Sequence, residues 1–199
     1  MGQIIMKKTE IVNNEYLMFG SYPQNGTEKE PIRWIVIKME DNILTLMADK
    51  ILTNFMYDRY YSDYKDSAIR KYIHEEFIPI AFTQEEMDMI LPTQLEGVVD
   101  KVFIPSVEDL KHLSRDERIR KVTPYAYSNK ASSYPAFTKK EKYLEGNGWY
   151  WTRTPYKPPY NPRNDRQVWY VEYNGALNFR VTVGHDIGIV PTIRLKIDE

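Results

Sequence analysis

Gln-Val-Trp-Tyr-Val-Glu-Tyr-Asn-Gly-Ala-Leu-Asn-Phe-Arg-Val-Thr-Val, residues 167–183, is the stretch that decides the fold. β-Branched and aromatic residues dominate both halves of it, as they do in β-strands. Asn174-Gly175 stands between the halves, and this dipeptide is typical of a two-residue hairpin turn. The stretch therefore predicts an antiparallel hairpin with strands over Gln167–Tyr173 and Leu177–Val183.

Further strand-like runs lie on both sides of this hairpin. They cover Glu15–Phe19, Ile32–Met39, Ile43–Met47, Val98–Ile104, Trp149–Thr152 and Ile189–Ile197. Asp41-Asn42 stands between the second and third of these runs, where short polar residues favour a tight turn and hence a second hairpin. The C-terminal third is therefore predicted to be mainly antiparallel sheet.

Helical spacing replaces the strand pattern after Asp66. The apolar residues that fall on one helical face are Ile69, Tyr72, Ile73 and Phe77. Asp66 or Ser67 is placed to cap this helix, and its end is predicted near Pro79. Capping boxes at Thr83–Glu86 and Ser106–Asp109 predict two more helices. Because no repeat and no Gly/Ser-rich linker divides the chain, we predict a single α+β domain over residues 1–199, with two or three helices in the N-terminal half.

Composition limits the classes of function. Of 199 residues, 42% are hydrophobic and 28% are charged, which is typical of a soluble globular domain. The net charge is −1 and the basic residues are spread along the chain, so we expect no cationic face for duplex nucleic acid. No apolar run is long enough to cross a bilayer and cysteine is absent, so we expect no membrane association and a cytoplasmic location.

Chemistry that needs a metal or a thiol is not expected either. Without cysteine there is no thiolate ligand and no thiol nucleophile. His74, His112 and His185 are far apart, and none stands in a His-Glu-x-x-His spacing. Carboxylate pairs such as Glu75-Glu76 and Glu85-Glu86 fall at helix starts or on helix surfaces, where the helix dipole explains them. We therefore expect no metal and no cofactor, and we assign no catalytic residue.

The segment Trp149–Tyr173 combines aromatic rings with basic side chains. It holds eight Trp or Tyr residues and four Lys or Arg residues in 25 positions. Flat rings stack on an aromatic ligand, and guanidinium groups donate paired hydrogen bonds to carboxylate or phosphate. The run Pro155–Pro162 is predicted to be a loop because proline lacks the N–H that a sheet ladder needs, so its two tyrosines need another role. The predicted ligand-binding residues are Trp151, Arg153, Tyr156, Tyr160, Arg163, Arg166 and Trp169.

Structural roles explain part of the same pattern. The strand tryptophans and tyrosines can fill the core, and Arg153 can be a buried arginine paired with a carboxylate such as Glu172 or Asp186. The arginines on either side of Asp165 can form a solvated charge cluster. A second aromatic cluster, Tyr57–Tyr64, gives the predicted cleft a second wall if it faces the first.

The order of several short motifs resembles an uncharacterised family of bacterial and phage proteins, a domain of unknown function. The motifs are Phe19–Gln24, Pro31–Val36, Ser67–Ile73, Ala81–Glu86, Trp149–Pro155 and Gly188–Thr192. The likeness covers nearly the whole chain, but the family has no established activity to transfer. Val190 stands where the family has an arginine, so any role of that arginine is lost here or passes to Arg153 or Arg194.

The C-terminal half is also similar to the C-type-lectin-like fold. In that fold a Trp-rich strand pairs with the final strand, and the long loop between them forms the ligand face. The fold alone does not fix a function. The Glu-Pro-Asn or Gln-Pro-Asp pattern of calcium-binding lectins is absent from the sequence, so no calcium is expected.

Together these observations favour a non-catalytic binding protein that holds a small anionic, aromatic ligand, such as a nucleotide derivative, in an Arg/Trp/Tyr-lined cleft. The resemblance to a family with phage members adds the hypothesis that such a protein sequesters a host nucleotide signal in antiviral defence. One alternative is a protein–protein recognition module, where the same residue types are interface hot spots, or a homo-oligomer. Another alternative is a nucleotide-directed hydrolase.

Overall fold

Two five-stranded β-sheets form the framework of the protein in the computed structural model, which describes residues 16–128, 146–157, 166–179 and 183–197. The strands are β1 (Tyr16–Pro23), β2 (Lys29–Glu40), β3 (Ile43–Ala48), β4 (Lys50–Ile51), β5 (Thr53–Met56), β6 (Thr93–Gln94), β7 (Val99–Asp100), β8 (Val102–Phe103), β9 (Lys121–Val122), β10 (Tyr150–Pro155), β11 (Val168–Val171), β12 (Leu177–Asn178), β13 (Asp186–Ile189) and β14 (Thr192–Lys196).

The strand order defines the two sheets. The first sheet has the order β1-β2-β3-β14-β8, and all of its described pairs are antiparallel. The second has the order β12-β11-β10-β13-β5, in which the β10 and β13 pair is parallel and the others are antiparallel. Strands β4 and β9 form a small parallel pair, and β6 and β7 form an antiparallel one. The predicted α+β class with mainly antiparallel sheet is confirmed.

The helices are short, and three of them begin where the caps predict. They are α1 (Ala68–Tyr72), a π-helical segment (Ile73–Phe77), α2 (Ile78–Ala81), α3 (Gln84–Met89), α4 (Val107–Leu110), a 3₁₀ turn (Asp116–Arg118) and α5 (Pro124–Ser128). Ser67 caps α1, and both predicted capping boxes form at Thr83 and Ser106. The first helical run extends to Ala81, two residues beyond the end predicted near Pro79, and Pro79 lies within its last part.

Two hairpins show how the turn residues set the strand register. Asp41 and Asn42 both have positive φ, 46° and 61°, as the two-residue turn between β2 and β3 requires. The prediction of a two-residue turn at Asn174-Gly175 is wrong. The Glu172 N–H donates to the Ala176 oxygen, so the loop between β11 and β12 has three residues, and Gly175 ends it with φ of 78°.

The predicted final strand, Ile189–Ile197, is in fact divided between the two sheets. Strand β13 pairs with β10 and β5 in the second sheet, whereas β14 pairs with β3 and β8 in the first. Pro191 lies between them and has no N–H for a ladder, which is why a single strand cannot continue through it. The chain therefore crosses from one sheet to the other here, and the buried faces of both sheets contribute to one hydrophobic core.

Gly188 allows this crossing to pack closely. A Cβ atom at this position would lie 2.6 Å from both the Ile51 Cγ2 atom and the Trp149 backbone oxygen. Only glycine therefore fits between β4 and the start of β10. The close approach fixes β13 beside β10, the strand that carries the candidate site.

Candidate functional site

A cleft of about 630 Å³ lies where three segments meet: the connection from β5 to α1, the tip of the β6–β7 hairpin and the end of β10. Its lining consists of Asp58, Tyr61, Ser62, Asp63, Tyr64, Asp66, Glu96, Arg153, Pro155 and Lys157. A volume in this range is typical of pockets that hold a small molecule. The Tyr57–Tyr64 cluster thus faces the end of β10 across one cleft.

Arg153 lies in an irregular part of β10. The register between β10 and β11 shifts between Trp151 and Pro155, and the Arg153 N–H donates to the Pro105 oxygen at 2.9 Å instead of to β11. Such bulges bend a strand and redirect its side chains, and they are frequent beside functional sites. The bulge is what brings the Arg153 side chain to the cleft.

The Arg153 guanidinium is buried and held by carboxylates. Nη1 donates to Asp109 Oδ2 at 2.7 Å and to the Ile104 oxygen at 2.9 Å, and Nε lies 3.0 Å from Glu96 Oε2. Burial alone would raise the pKa of Asp109, but Arg153 and the Ser106 hydrogen bonds outweigh it and hold this pKa below its ordinary value. Nη2 has no hydrogen-bond partner among the described residues and is the one donor group of Arg153 left for a ligand.

The opposite wall is fixed by Asp58. Its Oδ1 accepts hydrogen bonds from the N–H groups of Tyr60 (2.8 Å) and Tyr61 (3.1 Å), and its Oδ2 accepts from Ala68 at the start of α1 (3.0 Å). Burial on its own would raise the pKa of Asp58, but these backbone donors lower it, so the group is a carboxylate at neutral pH. The loop conformation leaves Tyr61 60% exposed.

Arg70 joins the two walls of the cleft. Its Nη1 donates to the Lys65 oxygen (3.0 Å) in one wall, while Nε and Nη2 donate to both oxygens of Asp100 (2.8 and 2.7 Å) in the β6–β7 hairpin. His74 Nε2 lies 3.1 Å from the same carboxylate, whose side chain is fully buried. Burial would raise the pKa of Asp100, but Arg70 and His74 reverse that effect and lower it to about 2.

The predicted binding residues do not all meet in this cleft. Arg153 lines it. Trp151 is fully buried beneath, where its Nε1 donates to the Phe55 oxygen (3.0 Å) and its ring meets Tyr57 edge-on at 5.5 Å between centroids. Trp151 therefore belongs to the core, as the structural alternative supposed. Tyr160 and Arg163 lie outside the described residues.

Tyr156 and Trp169 form a separate aromatic group with Phe179. The Tyr156 and Phe179 rings stack at 3.6 Å between centroids, and Trp169 packs edge-on against both, at 5.6 and 5.0 Å. All three rings are half-buried and none lines the cleft. Arg166 is exposed just before β11, and it is not among the cleft residues either.

The partners of Arg153 differ from those expected. The suggested carboxylates are elsewhere, because Glu172 accepts a hydrogen bond from Asn178 (2.7 Å) and Asp186 lies in β13. Neither of these two carboxylates pairs with Arg153, but the structural alternative of a buried arginine paired with a carboxylate is what the structure contains. Glu96 and Asp109 stand 57 and 44 residues before Arg153, a distance at which no local pattern indicates a contact.

The family follows from a comparison of the whole sequence. The family model described as "Domain of unknown function (DUF6273)" matches residues 41–197. The chain belongs to this family. No curated protein and no solved structure matches it. For this member of the family, the geometry of the cleft is therefore the guide to function.

The charges of the cleft are mixed. Asp58, Asp63, Asp66 and Glu96 contribute four carboxylates, and Arg153 and Lys157 contribute two cations. The carboxylates lie on the loop and hairpin walls, and the cations lie at the end of β10. A ligand that carries an anion at one end and hydrogen-bond donors at the other matches this division.

Among the described residues, no group of three or more histidines and carboxylates is arranged to hold a metal ion. Within the same ranges, no helix has the length and apolar character needed to cross a bilayer.

Proposed function

We propose that this chain is a non-catalytic binding protein that holds a small anionic ligand with an aromatic ring, such as a nucleotide derivative, in the cleft around Arg153. The observation that supports it is that two cations and an exposed tyrosine line one cleft of suitable size, about 630 Å³. Arg153 Nη2 and the Lys157 ammonium hold the anionic group, and the Tyr61 ring stacks on the aromatic ring.

The carboxylate wall refines the choice of ligand. Ionised carboxylates accept hydrogen bonds but donate none, so they suit the N–H groups of a base and repel a second anionic group. With four carboxylates against two cations in the lining, a ligand with one anionic group is favoured over a polyphosphate. The proposed ligand therefore carries a single acidic group and a nitrogen-rich ring.

A panel of nucleobase derivatives, assayed by isothermal titration calorimetry, tests the proposal. Lys157→Ala removes a charge-assisted hydrogen bond of about 1.5–3 kcal/mol, and should weaken binding by roughly one to two orders of magnitude. Tyr61→Ala removes a stacking contact of about 1–3 kcal/mol. Tyr60→Ala is the matched control, since Tyr60 is the residue before Tyr61 and is similarly exposed (56%) but does not line the cleft. Equal losses for Tyr60→Ala and Tyr61→Ala, or no heat with any member of the panel, would reject the proposal.

A second candidate function is protein recognition, and the aromatic group of Tyr156, Trp169 and Phe179 favours it. Half-buried tyrosine and tryptophan rings outside a closed pocket are typical of interface hot spots. Trp169→Ala then abolishes association with a protein or with a second copy of the chain, and leaves small-molecule binding in the cleft unchanged. A nucleotide-directed hydrolase is distinguished from both by the appearance of product when the ligand is incubated with the protein.

The wider setting of the proposal follows the resemblances in the sequence. We infer a C-type-lectin-like arrangement for the C-terminal half, a cytoplasmic location, and the sequestration of a host nucleotide signal by a phage protein as one form of the binding function. A solved structure superposed on C-type lectins tests the first of these inferences. A phage infection assay tests the inference of signal sequestration. The intact protein should protect the phage from the host defence, whereas Lys157→Ala should not.

A further inference from the structure

Arg120 is a buried charge with one edge that the protein leaves without a partner. The residue is 4% exposed. Nη1 donates to the backbone oxygens of Glu117 (2.9 Å) and Ile119 (2.6 Å). Nε and Nη2 are also buried, and neither has a hydrogen-bond partner among the described residues. Buried donors of a charged group are rarely left unpaired, because the loss of their hydration costs several kcal/mol.

The Nε and Nη2 groups of Arg70 show what this edge of an arginine can bind. Arg70 uses Nε and Nη2 side by side to hold both oxygens of Asp100, at 2.8 and 2.7 Å. This parallel pair of N–H groups matches the spacing of two oxygens on a carboxylate or a phosphate. In the described part of the chain, no carboxylate forms an ion pair with Arg120.

The surroundings of Arg120 hold it in place without neutralising it. The backbone oxygen of Arg120 accepts a hydrogen bond from the Gly148 N–H (3.0 Å). Tyr150, which is fully buried beside Arg120, donates its hydroxyl to the backbone oxygen of Arg118 (2.8 Å). Burial lowers the pKa of Arg120, and Tyr150 and Asp49 only partly oppose that effect. Asp49 is the acidic neighbour, but its carboxylate lies 3.4 Å from Arg33 Nε.

We propose that the Nε and Nη2 edge of Arg120 binds a small oxoanion, a phosphate or carboxylate group, at a site separate from the cleft. Both donors are enclosed by protein, so binding requires the neighbouring segments to open, and a small oxoanion needs the least opening. An oxoanion supplies both the second charge and the two acceptors that the site lacks. The Arg120 site lies by the start of β10 and shares no lining residue with the cleft at the other end of that strand.

Thermal unfolding in inorganic phosphate, compared with chloride at the same pH and ionic strength, tests this site. The melting temperature of the wild-type protein should rise with the logarithm of phosphate concentration, by about 5 °C or more at one hundred times the dissociation constant. Arg120→Leu should show no phosphate-dependent rise. This variant is expected to fold, since replacing an unpaired buried charge with an apolar side chain is often neutral or stabilising. Arg120→Lys keeps the charge but loses the paired donors, and should weaken phosphate binding about tenfold.

Lys157→Ala is the matched control, because phosphate bound in the cleft would depend on Lys157 and not on Arg120. A phosphate effect that persists in Arg120→Leu, or that disappears in Lys157→Ala instead, overturns the proposal. Nuclear magnetic resonance of the Arg120 Nε–H group in the wild-type protein gives a second measurement, which needs no variant. The resonance should shift with phosphate and saturate, and an unchanged resonance also overturns the proposal.

Discussion

Replacing Asp100 with asparagine should remove the buried charge that holds the two walls of the cleft together. The Asp100 side chain is fully buried, accepts two hydrogen bonds from Arg70 and lies 3.1 Å from His74. The neutral amide would leave the Arg70 guanidinium without its counter-charge. Removing one partner of a buried ion pair typically costs about 3–5 kcal/mol. We therefore expect Asp100→Asn to lower the free energy of unfolding by about 3 kcal/mol at pH 7.

The pH dependence of the free energy of unfolding gives a second value for the stabilisation by the Asp100 charge. The pKa of Asp100 is lowered from 3.8 to about 2 in the folded protein. At 1.36 kcal/mol per pKa unit, this shift stabilises the fold by about 2 kcal/mol at neutral pH. Because the folded pKa is the lower one, the stabilisation is complete above about pH 5. It falls to about half near pH 3 and is nearly gone once the pH falls through about 2.

Urea unfolding of the wild-type protein and Asp100→Asn between pH 7 and pH 2 measures both effects. The difference between the two proteins should shrink by about 2 kcal/mol across this range, because only the wild type loses a charge at position 100. Asp88→Asn is the control, since Asp88 is exposed on α3 and should change stability by less than about 0.5 kcal/mol. A difference that stays constant down to pH 2 would refute the argument that the Asp100 charge stabilises the fold.

Two further substitutions test local features of the fold. Gly188→Ala should lower the free energy of unfolding by about 2 kcal/mol, because the new Cβ meets Ile51 and the Trp149 oxygen at 2.6 Å. Gly26→Ala is its control, with no atom within 4 Å, and a comparable loss there would contradict the packing argument. Ser67→Ala should cost about 1 kcal/mol in the same urea assay, because it removes the N-cap of α1. No loss of stability would show that Asp58, which accepts from Ala68, caps this helix without help from Ser67.

The parts of the fold that could be predicted are those set by neighbouring residues. The caps at Ser67, Thr83 and Ser106 act within a single helical turn, and the positive-φ turn at Asp41 and Asn42 is likewise local. Caps and turns of this kind can therefore be recognised in the sequence from short patterns of neighbouring residues. The strand alternation of the two hairpins is of the same kind.

Features set by distant contacts could not be predicted. The division of the last strand depends on which sheet each half joins, and only Pro191 hints at a break. The π-helical segment Ile73–Phe77 carries no sequence signature, although it places His74 beside Asp100. In the candidate site, the Tyr57–Tyr64 cluster indicates the second aromatic wall. The sequence gives no indication of Glu96, because its contact with Arg153 spans 57 residues.

The aromatic and basic stretch around β10 supplies three environments rather than one. Trp151 enters the core, Arg153 and Lys157 line the cleft, and Tyr156 between them packs against Phe179 instead. The described rings of Trp151 and Tyr156 are therefore not available to a ligand held by the neighbouring cations. Among the described residues, the exposed ring that lines the cleft is that of Tyr61, on the opposite wall. Because Arg153 is already paired with Glu96 and Asp109, the proposed binding of an anion should depend strongly on Lys157.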